Sequence, residues 1–505
     1  MQEKESKVGK TAVFGTSIVF ILALAAALIG YIVRMYLSRN LSIEHFGLFY
    51  AAFSFVGLFA IFKDLGMNQG LVKFIAEYKL KKRMDIVKGF ILSVFGFQIL
   101  LSCIVAVLLF LLAPWLSRVY FHEPLAIPVL RILAIMFFLV PLENIFKFSF
   151  QGFKKNTLYG ITDLFKISII LTITYILMVR GFEIFAPALA YALVFLVLAM
   201  IYLPIFTLHV FPTFFRIKAH FTKKLCKDLW KTSLPMILAA SAIAAMMQTD
   251  TVILTYFRSL KEVAIYQVVF PTARLLFYFS RSLSAVILPV SSELWINKSK
   301  TQLQNLVQFI YKYAIIIAIP LSLIMFSFPI FIINLLFGAD YISGSLTLQI
   351  LSLGALLFTI VFVNQSLLLA TDKAKINGTA MLWGAAANII INIILIPIFG
   401  IIGAAIATVT AYALIMTITL KEIKKSITFI TPWKEWCIAL LSGAVFYLIT
   451  TAIKSIQINA FIQFFSGIIL GGIAYLAILL LTKVIKKEEL IQIRNMLPFL
   501  NKHNR

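Results

Sequence analysis

Apolar residues run through this chain in long blocks, each near the roughly twenty residues that a helix needs to cross a hydrocarbon core, and short polar segments punctuate them. The blocks predict spans near Ala12–Arg34, Phe46–Ala76, Gly89–Ala113, Pro128–Phe150, Leu158–Val179 and Ile184–Leu208. After a basic stretch they resume near Leu229–Tyr256, Val263–Ser292, Tyr313–Phe337, Ser345–Ala370, Ile376–Pro397 and Ile401–Leu420, with two more at Trp433–Ile453 and Ile458–Thr482. The expected fold is an all-α polytopic membrane protein of about fourteen transmembrane helices. It divides into an N-terminal six-helix lobe (1–208), a basic interfacial linker (209–228), a second six-helix lobe (229–420), two further helices (421–482) and a basic cytoplasmic tail (483–505).

Composition agrees with the pattern. Of 505 residues, 62% are hydrophobic and 13% charged, which would leave a water-soluble globule with more apolar surface than it could bury. The first block exceeds the apolar core of a cleavable signal peptide and is read as a span. Cys103, Cys226 and Cys437 are scattered, with no C-x-x-C pair, and read as structural thiols.

A net charge of +25 would suit nucleic acid or an anionic surface, so its placement decides. Most Lys and Arg lie in the termini and the even-numbered loops, for example Lys79, Lys81, Lys82 and Arg83, or Lys421, Lys424 and Lys425. The positive-inside rule then puts both termini in the cytoplasm and the protein in the cytoplasmic (inner) membrane, drawn to anionic headgroups rather than nucleic acid. In the linker, Phe214, Phe215, Phe221 and Leu225 alternate with basic residues, as in an amphipathic segment lying in the interface or a plain solvated loop.

The chain repeats itself. Ala190-Tyr191-Ala192-Leu193 recurs as Ala411-Tyr412-Ala413-Leu414, and Arg39-x-Leu41 with Glu44 is echoed by Arg258-x-Leu260 with Glu262. Similar offsets at both ends of a six-helix unit indicate a duplicated bundle, and duplicated bundles hold substrate near the repeat interface.

Ionisable groups inside spans are costly, so those retained are functional candidates. They are Lys63, Asp64 and Lys73 in the second span, Glu143 and Lys147 in the fourth, Asp163 and Lys166 in the fifth, Asp250 in the seventh, and Arg274 and Arg281 in the eighth. Glu143 with Lys147, and Asp163 with Lys166, are spaced to neutralise each other on one helix face. Lys63, Lys73 and Lys166 are placed to snorkel. Arg274 and Arg281 have no acid between Val263 and Ser292 and must face water, a ligand or another helix's acids. The repeat offset sets Arg281 opposite Asp64. Guanidinium groups match phosphate oxygens, so Arg274, Arg281, Lys63, Asp64, Lys147 and Lys73 form the expected headgroup cavity. Asp64, Asp250, Glu143 and Asp163 are the candidates for carrying a coupling proton or sodium ion. Asn68, Gln69, Gln248 and Asn388 are the polar cavity candidates, alongside other in-span amides such as Asn364 and Asn392 that can join helices.

No phosphate-binding G-x-x-x-x-G-K-[ST], zinc H-E-x-x-H or nucleophile-elbow G-x-S-x-G pattern is found, and the five histidines lie at loops or termini. The sequence therefore points to a transporter with no cofactor and no metal, not an enzyme.

Two stretches, residues 37–78 and 377–414, resemble the polysaccharide-transport, or O-antigen-type flippase, members of the multidrug/oligosaccharidyl-lipid/polysaccharide exporter superfamily. The first carries Arg39, Phe46-Gly47, Asp64-Leu65-Gly66 and Asn68; the second carries Asn388, Asn392, Pro397, Gly400 and Gly403-Ala404-Ala405. The resemblance implies a V-shaped pair of pseudo-symmetric six-helix lobes like that of multidrug exporters, plus two C-terminal helices. It also implies alternating access that turns a polyprenyl-pyrophosphate-linked oligosaccharide to the outer leaflet, with glycan polymerases or glycosyltransferases as partners. A lipid II flippase, a cation-coupled drug antiporter of the same superfamily and a scaffold for glycan-assembly enzymes are the competing readings.

Overall fold

A chain in hydrocarbon finds no water for its amides and carbonyls, so each crossing segment must close its own backbone hydrogen bonds. The computed structural model describes residues 2–60, 65–221 and 246–485, and among them the regular structure is helical, with no strand. The helices are α1 (Gln2–Asn40), α2 (Ile43–Leu58), α3 (Met67–Leu80), α4 (Met84–Leu116), α5 (Ala126–Gly152), α6 (Asn156–Val179), α7 (Phe185–Ile205) and α8 (246–257). They continue with α9 (Leu260–Ala273), α10 (Leu276–Ile296), α11 (Lys300–Ser327), α12 (Pro329–Phe337), α13 (Ser345–Ala370), α14 (Ala374–Phe399), α15 (Ile401–Ser426), α16 (Trp433–Lys454) and α17 (Ala460–Leu481).

Among the described residues, 12 helical stretches are long and apolar enough to cross a membrane, each corresponding to one of the predicted spans. The other two expected spans fall where description is incomplete. The second is not one continuous helix, because α2 stops at Leu58 and α3 starts at Met67. Leu65 (φ 43°) and Gly66 (φ 72°) turn the chain just before that restart, a conformation glycine adopts without a Cβ penalty. Most of the seventh lies outside the described residues, α8 being its end. The eighth bends: Pro271 has no amide hydrogen to give, α9 ends at Ala273, and Leu275 bonds back to Thr272 before α10 begins.

The chain forms two compact units, Met1–Gln267 with Ile389–Ile401, and Val268–Asn388 with Ile402–Arg505, so the change from one to the other falls within α9. In the first, small residues bring helices close: at Gly152 of α5, any Cβ would press against the Ile75 side chain of α3. In the second, Tyr311, Trp436, Phe446 and Tyr475 fill the core of α11, α16 and α17. Their polar ends are satisfied there, Trp436 Nε1 donating to the Tyr311 carbonyl (3.0 Å) and Tyr475 Oη to that of Ile316 (2.8 Å).

The duplicated corners are built alike. Ser42 caps α2 by accepting from the His45 amide (3.2 Å), and Ser259 accepts from the Glu262 amide at the start of α9 (3.3 Å). A glycine of positive φ precedes the later helix of each half, Gly181 (83°) before α7 and Gly400 (54°) before α15. At Gly400 a Cβ would press on the Arg258–Glu262 ion pair (3.0 Å), whose side-chain ends would have to shift.

In the described part of the linker a π-helical turn, Phe206–Val210, runs into turns and irregular chain over 211–221. Phe211 is buried against Phe153 and Phe206, the His220 amide donates to the Asp85 carbonyl (3.1 Å), and Lys88 Nζ donates to the Ile217 carbonyl (2.8 Å). Phe215 and Phe221 remain exposed, as interfacial anchors would be. Leu225 and the rest of the linker to 228 lie outside the described residues, as do the tail residues 486–505.

Candidate functional site

The sequence expected charges within spans to mark the site, and the structure sorts them into distinct settings. Lys63 and Asp64, with the proposed Arg281–Asp64 opposition, lie outside the described residues.

Glu143 and Lys147 on α5 meet Asp163 and Lys166 on α6. The predicted pairing within α5 is replaced by pairing across helices: Lys147 Nζ reaches Asp163 Oδ1 at 2.6 Å and Lys166 Nζ reaches Glu143 Oε1 at 2.9 Å. Only the Lys166–Asp163 contact, 3.3 Å, follows the intrahelical spacing. Glu143 is 2% exposed, and burying its carboxyl group would be costly without the ammonium partner. Two acids and two bases leave the cluster with no net formal charge, and it clamps α5 to α6.

Asp250 on α8 is also 2% exposed, and two neutral donors reach it. Tyr266 Oη donates to Asp250 Oδ2 (2.6 Å) and Asn392 Nδ2 to Oδ1 (2.6 Å). The Asn392 Oδ1 is buried without a hydrogen-bond partner among the described residues, leaving an unused acceptor beside the carboxylate. One residue on, Gln267 Nε2 donates to Thr251 Oγ1 (2.6 Å) and Ser54 Oγ (3.2 Å).

Arg34 joins this group, which sequence reasoning missed. Its guanidinium stacks 4.1 Å from the Tyr50 ring centroid, and Nη1 donates to the Gln267 side-chain Oε1 (3.1 Å) and to the Gln267 backbone carbonyl. That carbonyl would ordinarily bond the amide four residues on, where Pro271 has none, so the arginine satisfies the acceptor that proline freed. Arg34 was read as the flank of the first span, yet α1 continues to Asn40. The legible signal was Gln267-x-x-x-Pro271, an acceptor needing a donor from elsewhere.

In the second unit, Arg274 is half-buried at the bend between α9 and α10, its guanidinium 5.4 Å from the Phe270 ring centroid. The bend interrupts the single helical stripe expected to carry both arginines. Arg281, a residue of α10, is exposed and makes no ion pair among the described residues.

The polar candidates also separate. Asn68 is buried and accepts from Gln98 Nε2 (2.9 Å), Gln69 is exposed, and the Gln248 amide packs where Gly57 lacks a side chain. Asn388 is buried, with Nδ2 3.5 Å from Thr408 Oγ1 and Oδ1 unpartnered among the described residues. Lys73 is exposed on α3, 5.7 Å over the Phe74 ring, consistent with snorkelling. Asn364 bonds Tyr311 and Thr419, tying α13 to α11 and α15. Among the described residues no cluster of His, Cys, Asp and Glu is arranged to hold a metal ion.

Residues 12–295 match the family described as polysaccharide biosynthesis protein. Along nearly its whole length the chain is similar to an uncharacterized membrane protein, MJ1068, of Methanocaldococcus jannaschii, with 32% identity over 92% of this chain and 95% of that one. It is also similar to the probable low-salt glycan biosynthesis flippase Agl15 of Haloferax volcanii, with 24% identity over 49% of this chain and 53% of the relative. Among solved structures, the inward closed conformation of the lipid II flippase MurJ superposes with a TM-score of 0.74 at 18% identity, covering 94% of this chain and 99% of that one. An inward-facing multidrug resistance MATE transporter of the MOP superfamily reaches 0.66 at 14% identity, covering 79% and 95%. The fold is therefore the one shared by these two transporters.

Proposed function

The chain belongs to the polysaccharide biosynthesis protein family, and from that premise we propose that it is a flippase that carries a polyprenyl-(pyro)phosphate-linked oligosaccharide from the cytoplasmic to the outer leaflet by alternating access. The observation that carries this reading is Arg281, an exposed guanidinium on a membrane-crossing helix with no acid between Val263 and Ser292. Such a group is stable only against water or an anion, and its planar donors suit phosphate oxygens. Arg274, half-buried seven residues earlier, is the second headgroup candidate. Similarity to a glycan biosynthesis flippase supports glycan cargo.

A second reading, lipid II transport, is favoured by the MurJ fold match over 94% of the chain. Complementation separates the two: restored surface glycan in a strain lacking its oligosaccharide flippase supports the first, and rescue of a strain lacking its lipid II flippase supports the second. Restored drug resistance instead would favour the antiporter reading.

For coupling we propose Asp250 as the group that takes up a proton or a sodium ion. The carboxylate with the unused Asn392 Oδ1 beside it offers the oxygens a sodium ion prefers, and the Tyr266 and Asn392 donors hold the site when it is empty. Transport by Asp250→Asn in vesicles should lose its dependence on a sodium or proton gradient; unchanged dependence would move coupling elsewhere. Location in the cytoplasmic membrane with both termini inside belongs to the same proposal and is tested by reporter fusions at each end. Glycan polymerases or glycosyltransferases are the partners that would receive the cargo.

A further inference from the structure

The first unit contains a cavity of about 270 Å³ between α4, α5 and α7 that has no part in the charge clusters above. From α5 it is lined by Leu142, Phe146 and Ser149, a single helical stripe that runs about 10 Å along the axis. Phe95 of α4 and Leu203 of α7 form other walls, and Phe214 of the linker closes one end. Leu203 is 45% exposed, so the cavity lip lies on the outer surface of α7.

The cavity surface is apolar, and Ser149 is the one lining residue with a polar side-chain atom. Ser149, three residues before the end of α5, has a buried hydroxyl with no hydrogen-bond partner among the described residues, where a helical serine would ordinarily bond back to its own helix. From that end the lining runs inward to Leu142, entirely hydrocarbon. Such a space suits an apolar chain, since an empty void deprives its walls of dispersion contacts.

Cations gather at the same end. The Lys88 ammonium sits 5.0 Å over the Phe214 ring, and that of Lys79 lies 5.2 Å over the Phe153 ring, which packs on Phe206. Arg216 and Lys218 follow Phe214 directly and are exposed. Lys81 and Arg83 are already matched by Glu77 (2.6 Å) and Asp85 (2.8 Å). Lys79, Lys82, Lys88, Arg216 and Lys218 make no ion pair among the described residues, so this end carries uncompensated positive charge.

We propose that the cavity holds one hydrocarbon chain of an anionic phospholipid from the adjacent leaflet. Its phosphate rests among Lys88, Arg216 and Lys218, beyond the Phe214 end of the apolar lining. The bound lipid would then fasten the 211–221 turn to α4, α5 and α7.

The test is native mass spectrometry of the full-length protein in detergent with phosphatidylglycerol and phosphatidylcholine supplied together. Wild type should retain one phosphatidylglycerol in preference to phosphatidylcholine. Leu142→Trp, which fills the deep end, should lose that retained lipid, and Lys88→Gln with Arg216→Gln should lose the preference while still binding either lipid weakly. If Leu142→Trp melts below wild type, Leu203→Trp at the lip replaces it as the filling variant. Equal retention of the two lipids by wild type, or undiminished phosphatidylglycerol on a filled variant of normal stability, overturns the proposal. The readout is binding, so it stands or falls apart from the transport assignment.

Discussion

The α5–α6 quartet and Arg281 of α10 are both charge placed where hydrocarbon is expected, and their settings are opposite. In the quartet each group has its counter-ion within 3.3 Å and the sum is zero. At Arg281 the guanidinium is exposed, with no ion pair among the described residues. In the quartet the charges answer one another across α5 and α6, whereas no acid lies against the Arg281 guanidinium among the described residues. Charge in a span therefore comes in two settings, and only the unanswered one leaves a net charge to be met from outside the helices.

Glu143→Gln strikes that contrast hardest, because it leaves Lys166 with only the shared Asp163. Stability should fall by roughly 3 kcal/mol, read as earlier thermal unfolding in detergent, and adding Lys166→Met should recover most of it. Arg281→Glu should do the reverse: unchanged melting and abundance, but a fall in surface glycan of about tenfold or more, equivalent to at least ~1.4 kcal/mol at the transport barrier. Normal glycan in that variant would remove Arg281 from the site. Lys147→Met should cost about 1 kcal/mol of stability, since Asp163 keeps Lys166. Smallest is Arg281→Lys, which keeps the charge and loses the planar fork; a modest fall in transport with normal melting is expected, and a fall as deep as that of the glutamate variant would show that geometry rather than charge is what the substrate reads.

Hydropathy made the fold legible because each span must be apolar along its own length, a constraint written locally. Repeat offsets were legible for a similar reason, Ser42 and Ser259 being caps fixed by neighbouring residues. The quartet was half legible: spacing placed Glu143 and Lys147 on one face of α5, but only packing could say that each would turn to α6. The linker was legible only as two alternatives, an interfacial segment or a solvated loop, because the bonds that hold its turns, His220 to the Asp85 carbonyl and Lys88 to the Ile217 carbonyl, come from packing against α4. Tyr266 and Arg34 were invisible as site residues because neither looks costly where the sequence puts it. Their importance arises from Asp250 and Pro271, which lie elsewhere in the chain.

The Arg34 contact carries a genetic consequence. Half of what the guanidinium grips is main chain, so substituting Gln267 removes the amide oxygen while the carbonyl stays in place. Only a change at Pro271 would withdraw it, by supplying the amide that the helix lacks. A Pro271→Ala variant would thus release an arginine more than two hundred positions away in sequence, and suppressors of its phenotype should be sought in α1.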